Sequence, residues 1–158
     1  MSTQKRQSLD VTVVGGGMIT HDQILPSLYQ LQRAGTVGRI KVCALNSAPL
    51  RALAGSPALN EAFPERSFEP FPALDAPDDA LDADLFRRVI EEQGRRQLVV
   101  VAVPDHVHNG VIQAALDHDQ HVLTVKPLVP TYAEAAAIER KATAKGLFVG
   151  VEYHKRFD

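Results

Sequence analysis

The sequence predicts a doubly wound parallel α/β sheet in three layers (α/β/α), with strand order 3-2-1-4-5-6. Three observations carry this expectation. Strand-like apolar runs alternate with stretches of helical period along the chain, as in successive strand–helix–strand units. Leu98-Val-Val-Val-Ala-Val103 is continuous, β-branched and too short for most helices, which suits a strand covered on both faces. Val11-Thr-Val-Val14 runs straight into Gly15-Gly16-Gly17 and then a helix-compatible segment. Right-handed crossovers place every strand's C-terminal end on one edge, where ligands of such sheets bind.

Each element has its own signal. After the glycine turn, Ile24, Leu25, Leu28 and Leu31 recur at helical spacing, and Gly35 stands where a C-terminal cap belongs. Pro26 inside that pattern predicts a kink or a second helix start, because it lacks an N–H and clashes backwards. Ile40–Leu45 reads as the second strand and Pro49–Ala54 as a short helix. Ser56 to Asp79, rich in Pro, Asp, Glu and Phe, reads as irregular with one short strand near Phe68. Leu81, Leu85, Phe86, Val89 and Ile90 predict a helix that Gly94 ends. Val107, Val111, Ile112, Ala115 and Leu116 mark the next helix, begun by Asp105 or His106 as cap. His121–Thr124 reads as a strand. Thr131-Tyr-Ala-Glu134 is a capping-box sequence opening a helix that Gly146 stops, and Leu147–Val151 is the last strand.

A chain of 158 residues fits one domain with a real core, and 45% hydrophobic with 23% charged residues describes an ordinary globular protein. A net charge of −2 points to neither nucleic acid nor a membrane surface as partner. No apolar run approaches the length of a transmembrane helix, and the polar start (Met1–Ser8) reads as a flexible arm and not a signal peptide. The single cysteine, Cys43, excludes an internal disulfide and suits a cytoplasmic location.

The glycine turn matches G-x-G-x-x-G at its first two positions, Gly15 and Gly17, with Thr20 at the third. Such a turn brings the backbone of Gly15, Gly16, Gly17, Met18 and Ile19 within reach of a pyrophosphate, Gly17 being the position of closest approach. An ordinary tight turn is the competing reading, and the motif alone does not decide between them. After the second strand, an Asp or Glu would bind the adenosine ribose and repel a 2′-phosphate; Asn46 stands there instead, with Ser47 and Arg51 available to a phosphate. This favours NADP over NAD, against a reading of Asn46 as a turn former and Arg51 as a solvated helix residue.

Val103-Pro-Asp-His-Val-His108 follows the fourth strand on the ligand edge. The histidines at 106, 108, 118 and 121 invite a metal hypothesis, but they fall at opposite ends of one helix, so no metal site is expected. Lys126-Pro127 closes the fifth strand. A lysine in such a crevice can handle a proton, and the proline holds Lys126 in extended backbone.

Taken in order, the glycine turn, Val103–His108, Val125-Lys-Pro127 and Tyr153-His-Lys-Arg-Phe157 resemble the glucose–fructose oxidoreductase / inositol dehydrogenase / rhizopine-catabolism family. The resemblance covers essentially the whole chain. It implies a Rossmann domain binding NAD(H) or NADP(H), with Lys126 inheriting the substrate-binding and proton-handling lysine of a Glu-Lys-Pro signature. It also implies that Val103, Pro104 and His108, with Lys126 and Pro127, line the nicotinamide side. Val125 replaces the signature's Glu, and His154 stands where Asn is common.

Family members continue into a second domain that forms the substrate pocket and mediates oligomerisation. The chain is therefore expected to comprise an arm (1–8), a dinucleotide-binding domain (9–152) and the start of a linker (153–158). The expected activity is hydride transfer between a nicotinamide cofactor and a hydroxyl/ketone of a sugar, cyclitol or related small molecule, with little turnover by this domain alone. A non-catalytic nucleotide-binding or redox-sensing module is the alternative, and it would have no need of Lys126. A methyltransferase fits less well, since its glycine turn normally follows an acidic residue and Val14 precedes Gly15 here.

Overall fold

The computed structural model describes residues 8–153. Six strands form one parallel sheet in the order β3-β2-β1-β4-β5-β6. They are β1 (Leu9–Val14), β2 (Val37–Cys43), β3 (Glu69–Phe71), β4 (Leu98–Val101), β5 (His121–Val125) and β6 (Val149–Glu152). The expected order 3-2-1-4-5-6 is the observed one. Helices α1 (Leu25–Arg33), α2 (Ser47–Ala54) and α3 (Pro57–Ala62) lie on one face, and α4 (Leu85–Glu91), α5 (Asp105–Asp117) and α6 (Tyr132–Lys145) on the other.

Strand periodicity divides the core between these faces. Val11, Val13, Val42 and Val100 pack with Leu25, Leu28, Leu50 and Leu59. Val14, Cys43, Val99 and Val101 pack with Ile90, Val111, Ile112 and Ile138. Because both faces are covered, the central strands read as unbroken apolar runs. Each fully buried Val contributes about 1.5–3 kcal/mol.

Where sequence and structure differ, the cause is local. At Pro26 the second helix start that the sequence predicts is present, but the segment before it is π-helical. The chain enters α1 through a π-helical turn, Thr20–Ile24, in which the Leu25 N–H donates to the Thr20 carbonyl. A widened turn makes room for the proline ring ahead of Pro26, which sits in the first turn of α1 where no N–H is needed. Tyr29 completes the buried face of α1, and Leu31 is exposed. Gly35 adopts φ +76° just past that helix, as a capping glycine should.

The 56–79 stretch is not irregular throughout: Ser56 caps α3, its Oγ accepting from the Leu59 N–H. The short strand expected near Phe68 is β3. Leu81 is exposed and lies outside α4, which begins at Leu85 and ends before Gly94. Pro104, and neither Asp105 nor His106, occupies the cap position of α5, without a capping side chain. The Thr131–Glu134 capping box forms as the sequence predicts, and Gly146 closes α6 at φ +60°. The expected arm (to residue 7) and the closing motif from His154 onward lie outside the described residues. Among the described residues no helix is long and apolar enough to cross a membrane.

Candidate functional site

The glycine turn emerges at the C-terminal end of β1, the central strand of the sheet. Its three glycines meet different constraints. Gly15 takes φ +119°, and a Cβ there would lie 2.0 Å from the Ala102 carbonyl oxygen, so the chain ends of β1 and β4 meet only because no side chain intervenes. At Gly16 a Cβ would press against the Pro49 ring carbon at 3.2 Å, which lets α2 close onto the turn. A Cβ on Gly17 would meet nothing within 4 Å. Among the described residues nothing requires glycine at 17.

Thr20, at the third motif position, is fully buried, and its hydroxyl donates to the Gly15 carbonyl at 2.6 Å. A threonine in place of glycine thus buttons the turn down. Helical backbone begins at Met18, whose side chain is exposed, while Ile19 packs partly into the core. The cleft beside the turn, of about 470 Å³, runs between Gly16, Gly17 and Met18 on one side and Pro49, Leu53 and Ser56 on the other.

A hydrogen-bond chain that no local motif announces reaches the wall of this cleft at His21 and Ser56. His21 Nδ1 lies 2.6 Å from Asp22 Oδ1, and His21 Nε2 lies 2.8 Å from Ser56 Oγ. The carboxylate only accepts, so Nδ1 carries a proton toward it, and in the neutral ring Nε2 is left to accept from the Ser56 hydroxyl. These residues meet only because the π-helical turn and the α3 cap face each other, 35 positions apart in sequence.

Beyond β2 the three residues expected to select the cofactor all engage one loop. The Asn46 side-chain oxygen accepts from the Ala48 N–H and caps α2, while its amide donates to the Asp78 carbonyl at 3.0 Å. Ser47 is fully buried, its hydroxyl 2.6 Å from the Ala76 carbonyl oxygen and 3.1 Å from Asp78 Oδ1. Arg51 donates to Ser47 Oγ (2.8 Å) and the Leu74 carbonyl (2.9 Å), and forms an ion pair with Asp78. The Arg51 guanidinium and the Ser47 hydroxyl hold the Asp78 carboxyl below the usual carboxylate range. Arg51 is thus neither free nor merely solvated.

On the other half of the edge, Val103 is half-buried and Pro104 exposed. His108 is fully buried. Its Nε2 lies 2.9 Å from the Val103 carbonyl and its Nδ1 2.8 Å from the Pro127 carbonyl, with Thr124 Oγ1 at 3.3 Å. His108 therefore sits wedged between the segment after β4 and the segment after β5, the neutral ring donating to one of the two carbonyls, and is a positioning group, not a surface group. Lys126 follows β5 directly and is exposed, with no ion pair or hydrogen bond among the described residues. Cys43 is buried in the core, where desolvation pushes its thiol up to about 12, so it is no nucleophile at neutral pH. Among the described residues no three His, Cys, Asp or Glu side chains gather as metal ligands.

The edge thus brings together Gly15–Ile19, Asn46, Ser47 and Arg51 on one side of the switch between β1 and β4, and Val103, His108, Lys126 and Pro127 on the other. Known proteins resemble this chain in part of its sequence or in its fold. An uncharacterized oxidoreductase of Schizosaccharomyces pombe is 42% identical over 62 residues, which are 39% of this chain and 17% of that protein. The scyllo-inositol 2-dehydrogenase (NADP(+)) of Bacillus subtilis is 31% identical over 62 residues, again 39% and 17%. The biliverdin reductase of Synechocystis, solved with biliverdin and NADP+, superposes with a TM-score of 0.61 at 21% identity, covering 91% of this chain and 37% of that one. The matched region therefore spans about a sixth of these curated relatives and little over a third of the solved protein. The model of the Gfo/Idh/MocA oxidoreductase family's NAD-binding Rossmann fold matches residues 9–153, and the chain belongs to that family.

Proposed function

We propose that this chain binds NADP(H), in preference to NAD(H), as the cofactor-binding part of an enzyme that oxidises a hydroxyl or reduces a ketone on a sugar, cyclitol or related polyol. The observation that carries the dinucleotide site is the open face above Gly17: the position is glycine although no atom of the described residues demands it. A pyrophosphate seated on the first turn of the following helix gives that glycine its reason. The preference for NADP rests on the neutral Asn46 after β2 and finds support in the NADP named for two similar proteins.

When bound, the nicotinamide supplies or accepts the hydride. The protein's residues do the rest. Gly15 and Thr20 shape the turn, Val103 and Pro104 wall the crevice, and His108 sets the spacing between that wall and Lys126. Lys126, free of partners among the described residues, would hydrogen-bond the reacting oxygen, giving it a proton as the ammonium in ketone reduction and taking the hydroxyl proton as the neutral amine in oxidation. A module that only bound nucleotide would need no such lysine. The remaining substrate contacts come from a second domain of the complete enzyme, which also carries the oligomer interface.

Titration with NADPH and NADH, followed by nicotinamide fluorescence, tests the first part. Saturable binding with NADPH the tighter is expected, and no binding of either refutes the reading. A panel of polyols and sugars with NADP+ on the complete gene product tests the second. Brisk turnover by residues 1–158 alone would refute the division of labour.

A further inference from the structure

The three residues at the cofactor-selecting position share one partner, Asp78, from the loop between β3 and α4. We propose that Asp78 is a specificity-determining residue: its carboxylate occupies the donors that a 2′-phosphate would use and so sets the discrimination between NADP and NAD. The inference rests on the dinucleotide reading above.

The Ser47 hydroxyl is fully buried and cannot turn to solvent for another acceptor. Its two acceptors are Asp78 Oδ1 and the Ala76 carbonyl, both in the same loop. Arg51, one helical turn along α2, brings Nη1 to Ser47 and Nη2 to Asp78, so hydroxyl and guanidinium converge on a single carboxylate oxygen. A hydroxyl and an arginine converging on an anion make up a phosphate-binding set, and here the anion is part of the chain.

The loop is held in place by more than this contact, since Asn46 Nδ2 donates to the Asp78 carbonyl and the Asp82 N–H donates to the Leu45 carbonyl. The side chains of Arg51 and Asp78 are 42% and 60% exposed, which keeps the pair weak enough for an incoming phosphate to compete. A bound 2′-phosphate must displace the Asp78 carboxylate and then sit beside it. A ribose 2′-hydroxyl has neither difficulty. Asp78 therefore narrows, without reversing, the NADP preference that a neutral residue directly after β2 allows.

The test is the ratio of NADPH to NADH affinity in the full chain, with wild type beside Asp78→Asn and Asp78→Ala. Asp78→Asn keeps the shape and the acceptor for Ser47 and removes the charge; Asp78→Ala also frees Arg51 Nη2, while Ser47 keeps the Ala76 carbonyl. Each should raise the ratio at least fivefold, with circular dichroism unchanged. Adding Arg51→Ala should abolish the rise, because the freed donor is then missing. A ratio unchanged in both Asp78 variants, or one that rises equally without Arg51, overturns the proposal. Wild type that binds neither cofactor overturns the dinucleotide reading itself, and this inference with it.

Discussion

Gly17→Ala separates what the fold needs from what the ligand needs. The backbone at 17 lies outside the left-handed region and a Cβ there meets no atom within 4 Å, so alanine fits without strain. Replacing glycine by alanine at such a site gains about 0.4–1 kcal/mol by restricting the unfolded chain. Gly17 also starts the helix, its carbonyl accepting from the His21 N–H at 3.1 Å, and alanine is a poorer starting residue by a comparable amount. The two terms nearly cancel, so urea unfolding should move by less than about 1 kcal/mol. The added methyl nevertheless stands where the pyrophosphate would approach. Nicotinamide fluorescence titration should show Kd raised by about 10-fold or more, a loss of about 1.4 kcal/mol or greater. Gly15→Ala supplies the contrast. Its Cβ would overlap the Ala102 carbonyl at 2.0 Å in a φ +119° backbone, and the protein should lose several kcal/mol or fail to fold. Wild-type affinity in a folded Gly17→Ala variant would refute the placement of the pyrophosphate.

Other outcomes follow from the same geometry. Thr20→Val keeps the shape of a fully buried side chain but deletes its 2.6 Å bond to the Gly15 carbonyl; a loss of about 1–3 kcal/mol in urea unfolding and weaker NADPH binding are expected. Lys126→Ala in the complete enzyme should lower kcat by about 100-fold or more while leaving the NADPH Kd within about threefold, measured by steady-state kinetics and titration. Acidification should weaken the fold in two windows. Burial and the neighbouring Arg96 hold His121 below its ordinary 6.5, and its Nδ1 accepts from the Phe148 N–H, so the folded state prefers the neutral ring. Its contribution is present above about 6.5 and falls away as pH drops through the lowered value. The carboxyls of Asp78, Asp82 and Asp119, held below their ordinary 3.8 by Arg51, Arg88 and Lys145, lose their contribution only below 3.8. Thermal denaturation of wild type and His121→Gln across this range checks the assignment: only the upper step should vanish in the variant.

The sheet order and most elements were legible because local signals agree with the global fold. Val99, Val100 and Val101 point to alternate faces and are all buried, which an unbroken β-branched run announces. The capping box at Thr131 needs only its own four residues. What escaped the sequence depends on partners far along the chain. α3 has the same Pro and acidic composition as the loop after it, and what distinguishes it is the Ser56 cap. The roles of Ser47 and Arg51 depend on Asp78, 27 positions beyond Arg51, and no local pattern reveals that pairing. His108 could be placed on the crevice edge, but the two carbonyls that hold it belong to different strand ends.

That last residue makes the crevice a gauge. By bracing the Val103 carbonyl against the Pro127 carbonyl, the buried ring fixes how far apart the ends of β4 and β5 stand before any ligand arrives. Misplacing reacting groups by about 1 Å can cost about 100-fold in rate. Under the proposed function, the tolerance of the reaction would be set by an imidazole that meets carbonyls from both strand ends and the Thr124 hydroxyl. Drift in either strand end is checked from beneath, by a ring that the surface of the crevice does not show.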